Sequence, residues 1–182
     1  SDLGNTVSFS TIVGDKAHPD CYTFYSHLKN SNITAMDIQH TEGMPIDEAL
    51  VIIDSEGSKL AIVDRKVTPG FQLRPQYVND KHIVITSFEP KTISTILQSL
   101  LPTLQVVVFA PNFNLAENST QYISEIKKHK VDILTLSARE FAAMQQHESK
   151  LASYIKVIAV TAGDKGCSIY FQGRVYRLPA YP

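Results

Sequence analysis

The segment VTAGDKGCSIY at 160–170 combines a hydroxyl residue with two glycines, and this combination suits a phosphate-bearing ligand. Thr161 and Gly163 follow one apolar run, and Gly166 precedes another. Glycine lets the backbone approach a ligand closely, and threonine offers a hydroxyl donor. A plain hairpin turn is the alternative, because glycine and aspartate are ordinary turn residues. The segment by itself leaves both interpretations open.

Polar residues also follow three other apolar runs, in SFEP at 87–90, APNFN at 110–114 and SARE at 137–140. Ligands of an open parallel sheet bind beyond the carboxyl ends of its strands, so these segments predict a polar rim there. Each also has a structural explanation. Ser137 with Glu140 three residues later fits a helix capping box, and an asparagine such as Asn112 is common in turns.

The elements that would carry this rim alternate along the chain. Four apolar runs rich in β-branched residues predict strands: IVITS at 83–87, LQVVVFA at 104–110, VDILTL at 131–136 and IKVIAV at 155–160. Helical patterns lie between them, at 93–100, 116–129 and, more weakly, 137–152. Strand and helix in alternation predict an α/β fold with a parallel sheet. Continuous apolar runs predict strands that are buried on both faces.

The first third of the chain has a different pattern. VSFSTIVGD predicts a strand that runs into a turn, and LVIIDSEGSKLAIVD at 50–64 predicts a two-stranded hairpin. A helix lies between them, with one apolar stripe formed by Cys21, Phe24, Tyr25 and Leu28. Residues 65–82 predict a loop. We therefore expect one domain over 1–182, with a small antiparallel lid inserted at about 35–66.

Composition narrows the class of protein. The 182 residues are 43% apolar with a net charge of -1, which indicates neither nucleic acid nor a membrane as a partner. This composition and charge are more typical of a small enzyme or a ligand-binding protein than of a protein that binds nucleic acid or a membrane. Cys21 and Cys167 stand alone, and this sparse usage suits a reducing cytoplasm. No apolar run approaches the roughly 20 residues that a membrane span needs.

Taken in order, the segments resemble the ribokinase-like (PfkB-type) carbohydrate kinase family. VFAPNFN is similar to that family's D-P-N-x-R strand end, VDILTLSAREF to its D-I-x-x-x-N-x-x-E segment, and VTAGDKGCSIY to its V-T-x-G-x-x-G turn. LGNTVSFSTIVGDK, the hairpin strands and GRVYRLPAYP also match in order. The resemblance implies a mostly parallel sheet flanked by helices on both faces, with a small antiparallel β lid.

The resemblance also implies an activity, the ATP-dependent phosphorylation of a hydroxyl on a sugar, nucleoside or similar small molecule, with Mg²⁺. It places Thr161, Gly163 and Ser137 at the nucleotide, with Gly166 beside its base and ribose. Glu140 would orient Mg²⁺ or its waters. Asp15 and Asn112 would lie at the substrate. A homodimer through the lid stays open, because such hairpins can pair between subunits in this family.

Departures from the family pattern permit a divergent substrate, and they also motivate an alternative, a non-catalytic ligand-binding or regulatory relative on the same fold. Four residues differ from the usual ones: Lys16, Ala110, Asn114 and Ser137. The family's Gly-Ala-Gly-Asp motif, which carries the catalytic Asp, would lie beyond Pro182. The family's N-terminal strand, with its Gly-Gly and Asn-containing sugar site, is also absent, so we expect both termini of the domain to be missing. A dehydrogenase is disfavoured, because no G-x-G-x-x-G follows a strand.

Overall fold

The computed structural model describes most of the secondary structure of the chain. The described residues are 8–29, 33, 35–45, 47–53, 59–64, 71–73, 82–86, 90–100, 106–110, 115–129, 131–144 and 148–180. The chain divides into two compact units, Ser1–Leu73 and Arg74–Pro182. The prediction of a single domain stays a prediction.

The first unit contains a parallel strand pair and an antiparallel hairpin. Strand β1 (Ser8–Val13) is followed by helix α1 (Pro19–Lys29) and pairs in parallel with β2 (Ala35–His40), so these elements form a βαβ unit. Strands β3 (Glu48–Ile53) and β4 (Lys59–Asp64) form the antiparallel hairpin. The segment 35–40 thus pairs with β1, and the hairpin begins at Glu48. Its predicted turn at 55–58 lies outside the described residues.

Helix α1 buries its predicted stripe only in part. Cys21 is fully enclosed, while Phe24, Tyr25 and Leu28 are half-buried. Both cysteines of the chain are free thiols. Burial raises the pKa of the Cys21 thiol, and the nearby carboxylates of Asp15 and Asp20 raise it further. The protonated thiol donates to the carbonyl oxygen of Asp15 at 3.1 Å.

The second unit is a six-stranded sheet with helices. Its strands are β5 (His82–Thr86), β6 (Val106–Ala110), β7 (Ile133–Ser137), β8 (Val157–Thr161), β9 (Cys167–Phe171) and β10 (Arg174–Leu178), in the order β10-β9-β8-β7-β6-β5. The pairs from β5 to β8 are parallel, and β9 and β10 pair in antiparallel fashion. This arrangement confirms the α/β class and the four predicted strands.

Four helices accompany this sheet: α2 (Pro90–Ser99), α3 (Leu115–Lys128), α4 (Ala138–Met144) and α5 (Glu148–Tyr154). Helix α2 begins at Pro90, a residue favoured in the first turn, and buries Ile93, Ile96 and Leu97 as its spacing predicted. Helix α3 ends with Lys127 and Lys128 in its last turn, where cations complement the helix dipole. The region predicted as one helix at 137–152 forms two. None of the described helices has the length and apolar character needed to cross a membrane.

The core of the second unit lies on one face of strands β7 and β8. Leu134, Leu136, Ile158 and Val160 are buried, and the alternate residues of the two strands are half-buried except for Thr161, which is exposed. Helix α4 packs against β7 and β8, and α3 packs against α2, α4 and α5. Among the described residues, the second face of these two strands is thus half-buried up to the exposed Thr161, a weaker burial than the apolar runs predicted for both faces. Among the strands that the structure describes, β10 forms one edge of the sheet, and all five of its side chains are exposed.

Candidate functional site

The carboxyl ends of β7 and β8 lie side by side, and they bring two predicted site residues together. Ser137 and Thr161 are register partners at the ends of these parallel strands. Thr161 is exposed, and its hydroxyl donates to the carbonyl oxygen of Leu136 at 3.3 Å. That bond ties the two strand ends together and holds the threonine at the rim where ligands of open sheets bind.

Ser137 and Glu140 form a reciprocal cap at the start of α4. The backbone N–H of Ser137 donates to Oε2 of Glu140 at 2.6 Å, and the N–H of Glu140 donates to Oγ of Ser137 at 3.2 Å. The S-x-x-E spacing predicted this capping box. Among the described residues, Oε1 of Glu140 has no hydrogen-bond partner, so it is the carboxylate oxygen that remains for a cation or a water.

The turn after Thr161 is a hairpin turn with open space beside Gly163. Strands β8 and β9 are antiparallel neighbours, and a single turn of 3₁₀ helix at Gly163–Lys165 connects them. Gly163 has φ +58°, and a Cβ added there would meet no atom within 4 Å. The hairpin interpretation is therefore correct, and it coexists with room for a ligand at this position.

Gly166 faces the protein's own backbone. A Cβ at Gly166 would lie 2.0 Å from the carbonyl oxygen of Leu178 and 2.7 Å from the backbone nitrogen of Ala180. The missing side chain thus makes room for the chain that leaves β10. Sequence reasoning missed this contact because the two segments meet only through the register of the β9–β10 hairpin.

Asp15, the predicted substrate residue of the first unit, joins two turns. Its carboxylate accepts the N–H of Ala17 through Oδ1 and the N–H of Gly43 through Oδ2, each at 2.8 Å. Its own N–H donates to the carbonyl oxygen of Met44 at 2.7 Å. These backbone donors hold the pKa of the Asp15 carboxyl below its ordinary value of 3.8. A substrate contact would have to use the remaining lone pairs.

His40 and Tyr25 support the same turn, and neither contact was predicted from the sequence, which indicated Tyr25 only as part of the apolar stripe of α1. Nδ1 of His40 lies 2.9 Å from the carbonyl oxygen of Gly14. Because a carbonyl only accepts, Nδ1 donates in this contact, and Nε2 of the same ring lies 2.5 Å from the hydroxyl oxygen of Tyr25. Burial raises the pKa of Tyr25, and Cys21 raises it further, which keeps the hydroxyl a donor.

The other predicted site residue, Asn112, lies outside the described residues, as do residues 87–89 of the first strand-end segment. Across the part of the chain that the structure describes, no group of three or more histidine, cysteine or acidic side chains could hold a metal ion. Mg²⁺ often binds through one or two carboxylates together with phosphates and waters. A single carboxylate such as Glu140 is compatible with that mode.

Comparison with protein families and with curated proteins finds no match for the sequence. Comparison with solved structures does find matches. Adenosine kinase from Sinorhizobium meliloti superposes with a TM-score of 0.77 at 14% identity, over 99% of this chain and 60% of that one. Nucleoside kinase from Methanocaldococcus jannaschii, a member of the ribokinase family, superposes with a TM-score of 0.68 at 17% identity, over 97% of this chain and 60% of that one.

Ribokinase from Arabidopsis thaliana, solved with ribose and ATP, gives a TM-score of 0.69 at 14% identity, over 97% of this chain and 62% of that one. The chain thus spans about three fifths of the length of these kinases. At such identities the likeness concerns the fold. The chain has the ribokinase-like fold, as the resemblance in its sequence implied.

Proposed function

We propose that this chain is part of an ATP-dependent kinase that phosphorylates a hydroxyl of a sugar or a related small molecule. One observation carries the proposal. On a fold shared with sugar and nucleoside kinases, Ser137 and Thr161 are register partners at the carboxyl ends of β7 and β8, beside the open turn at Gly163. ATP would supply the phosphoryl group, with Mg²⁺ offsetting its charge.

In this proposal, the residues at the carboxyl ends of β7 and β8 position the nucleotide. The exposed Thr161 and the backbone at Gly163 would lie against its phosphates, since glycine allows close approach. Oε1 of Glu140 would hold Mg²⁺ or one of its waters, while Oε2 remains in the helix cap. Asp15 and Asn112 remain proposed substrate residues.

A non-catalytic ligand-binding relative is the second candidate. It is favoured by the way in which Ser137 and Glu140 satisfy each other in the capping box, because this contact explains both residues without a ligand. The two candidates differ in turnover. A kinase transfers phosphate from ATP to a sugar or nucleoside, and the relative binds one of these ligands without transfer.

The test is Gly163→Asn in the full-length protein, assayed by calorimetric titration with ATP and Mg²⁺. Asparagine tolerates positive φ, so the fold should be retained while the new side chain fills the open space. Gly173→Asn is the matched control, because Gly173 also has positive φ (+71°) with nothing within 4 Å of an added Cβ.

We expect ATP affinity to fall at least about tenfold in Gly163→Asn, equivalent to about 1.4 kcal/mol, and to stay unchanged in the control. Equal affinity in the two variants and the unmodified protein would contradict the nucleotide assignment. Assays with a panel of sugars and nucleosides then separate the kinase from the non-catalytic relative.

A further inference from the structure

Gly166 occupies a position where any side chain would be strained and would clash with neighbouring backbone. Its φ is +84°, and a Cβ would lie 2.0 Å from the oxygen of Leu178, 2.6 Å from the carbonyl carbon of Pro179 and 2.7 Å from the nitrogen of Ala180. All three are backbone atoms, which cannot rotate away as a flexible side chain can. Any side chain at 166 must therefore displace the segment 178–180 or distort the turn.

Two other glycines of the same sheet show that this requirement is specific. Gly163 and Gly173 also have positive φ, yet an added Cβ would meet nothing within 4 Å at either position. Their glycine requirement comes from backbone conformation alone. Gly166 has the conformational requirement and, in addition, a close contact with a second segment.

The register of the last hairpin explains the contact. Leu178 pairs with Cys167, and continuing this antiparallel register by one residue places Pro179 opposite Gly166. Proline has no N–H to donate, so the ladder ends there. The chain that leaves β10 then passes directly against the turn.

Gly166 is also part of the turn itself. Its carbonyl oxygen accepts the N–H of Ala162 at 2.8 Å, and its N–H donates to the carbonyl oxygen of Gly163 at 3.0 Å. One residue therefore closes the turn beside Thr161 and contacts the segment 178–180. A shift of the turn 161–166 or of the segment 178–180 should therefore move the other, because the two meet at Gly166.

We propose that Gly166 is a positioning residue, which keeps the backbone of 178–180 packed against the turn 161–166 so that this segment forms one fixed side of the nucleotide site. The inference rests on the proposed function for its link to the nucleotide. It assigns Gly166 a role that acts through its neighbours, in place of direct contact with the base and ribose.

The experiment compares Gly166→Ala with Gly173→Ala in the full-length protein. Both substitutions place alanine at positive φ, and only the first introduces the clash. Amide hydrogen exchange is measured by mass spectrometry for peptides covering 162–166 and 178–180, and ATP affinity by calorimetry. Exchange reports the packing of the two segments whether or not ATP binds.

We expect Gly166→Ala to speed exchange in both segments and to weaken ATP binding, each by about tenfold or more, with neither change in Gly173→Ala. Equal exchange in the two variants would overturn the proposal. Absence of ATP binding by the unmodified protein would instead contradict the proposed function, and the exchange data would still decide the packing role.

If Gly166→Ala fails to fold, Pro179→Gly provides the second variant, because it loosens 178–180 without touching the turn. Faster exchange in both 162–166 and 178–180 would support the coupling. Faster exchange confined to 178–180 would overturn it.

Discussion

The carboxylate of Glu140 has one oxygen in the helix cap and a second that we propose as a contact for a cation, and experiments can separate the two roles. Glu140→Gln keeps an amide oxygen that can accept the Ser137 N–H, so the cap should survive. It removes the negative charge that would attract Mg²⁺. We expect the stability of the protein to change by less than about 0.5 kcal/mol, while the Mg²⁺ concentration needed for ATP binding rises about tenfold or more.

Ser137→Ala is the converse variant. It removes the hydroxyl that caps Glu140 N–H and should reduce the free energy of unfolding by about 1 kcal/mol, with the charge retained. Denaturant unfolding and Mg²⁺ titration of both variants make the comparison. An unchanged Mg²⁺ requirement in Glu140→Gln would exclude the metal role.

Asp15 predicts a pH-dependent contribution to stability. The N–H groups of Ala17 and Gly43 lower its pKa in the folded protein below 3.8, so the charged form favours folding. This contribution is fully present above the unfolded value and is lost as the pH falls through the folded one. The difference in unfolding free energy between the protein and Asp15→Asn should therefore be largest near neutral pH and shrink in acid.

Urea unfolding from neutral pH to about pH 3 measures this difference. Asp164→Asn serves as the control, because Asp164 is exposed in the 3₁₀ turn and its replacement should have a much smaller effect. A difference for Asp15→Asn that stays constant across the whole pH range would show that the two N–H contacts do not act through the charge.

The turn between β9 and β10 contains one residue, Gln172, whose replacement should make the protein more stable. Gln172 has φ +49° and Gly173 has φ +71°, the two positive values of a type I′ hairpin turn, for which Asn-Gly is preferred. Gln172→Asn should raise the free energy of unfolding by about 0.5 kcal/mol, since asparagine tolerates this conformation better.

Gln121→Asn is the matched control for this substitution. Gln121 is exposed on α3, where asparagine is a poorer helix former than glutamine, so the same change should lower stability by a few tenths of a kcal/mol. The same sign of effect in both variants, measured by thermal unfolding, would argue against the turn explanation.

At the scale of elements, residue spacing within a short segment predicted the features that depend on contacts within that segment. The spacing of Ile93, Ile96 and Leu97 predicted the buried face of α2, and Ser137 with Glu140 predicted the cap of α4. Contacts between segments that are distant in sequence were not predicted. The sequence did not indicate that Ala35–His40 pairs with β1, that Asp15 accepts the N–H of Gly43, or that Gly166 touches 178–180, because each depends on how the chain returns on itself.

At the scale of the whole second unit, the two faces of the sheet differ in what they bury. Leu134 on β7 is 0% exposed, whereas Val84 on β5 is 67% exposed. Leu134→Ala should lower the free energy of unfolding by about 2–5 kcal/mol, the usual cost of a cavity in a packed core. Val84→Ala should change it by no more than about 0.5 kcal/mol.

Denaturant unfolding of the full-length protein measures both changes. Comparable losses in the two variants would mean that the face carrying Val84 is covered, since an exposed valine contributes little packing. A large loss restricted to Leu134 would support the tighter packing of the sheet face that carries Leu134.

The exposed edge strand β10 bears on how the protein behaves at high concentration. A free strand edge is a template for pairing with a second chain, and charged side chains discourage such pairing. Arg174 and Arg177 are exposed on this edge, so two molecules that meet edge to edge bring like charges together. Replacing both arginines with valine should therefore accelerate self-association, visible as growth in light scattering. Unchanged light scattering would show that the charge of these two arginines does not limit edge-to-edge pairing.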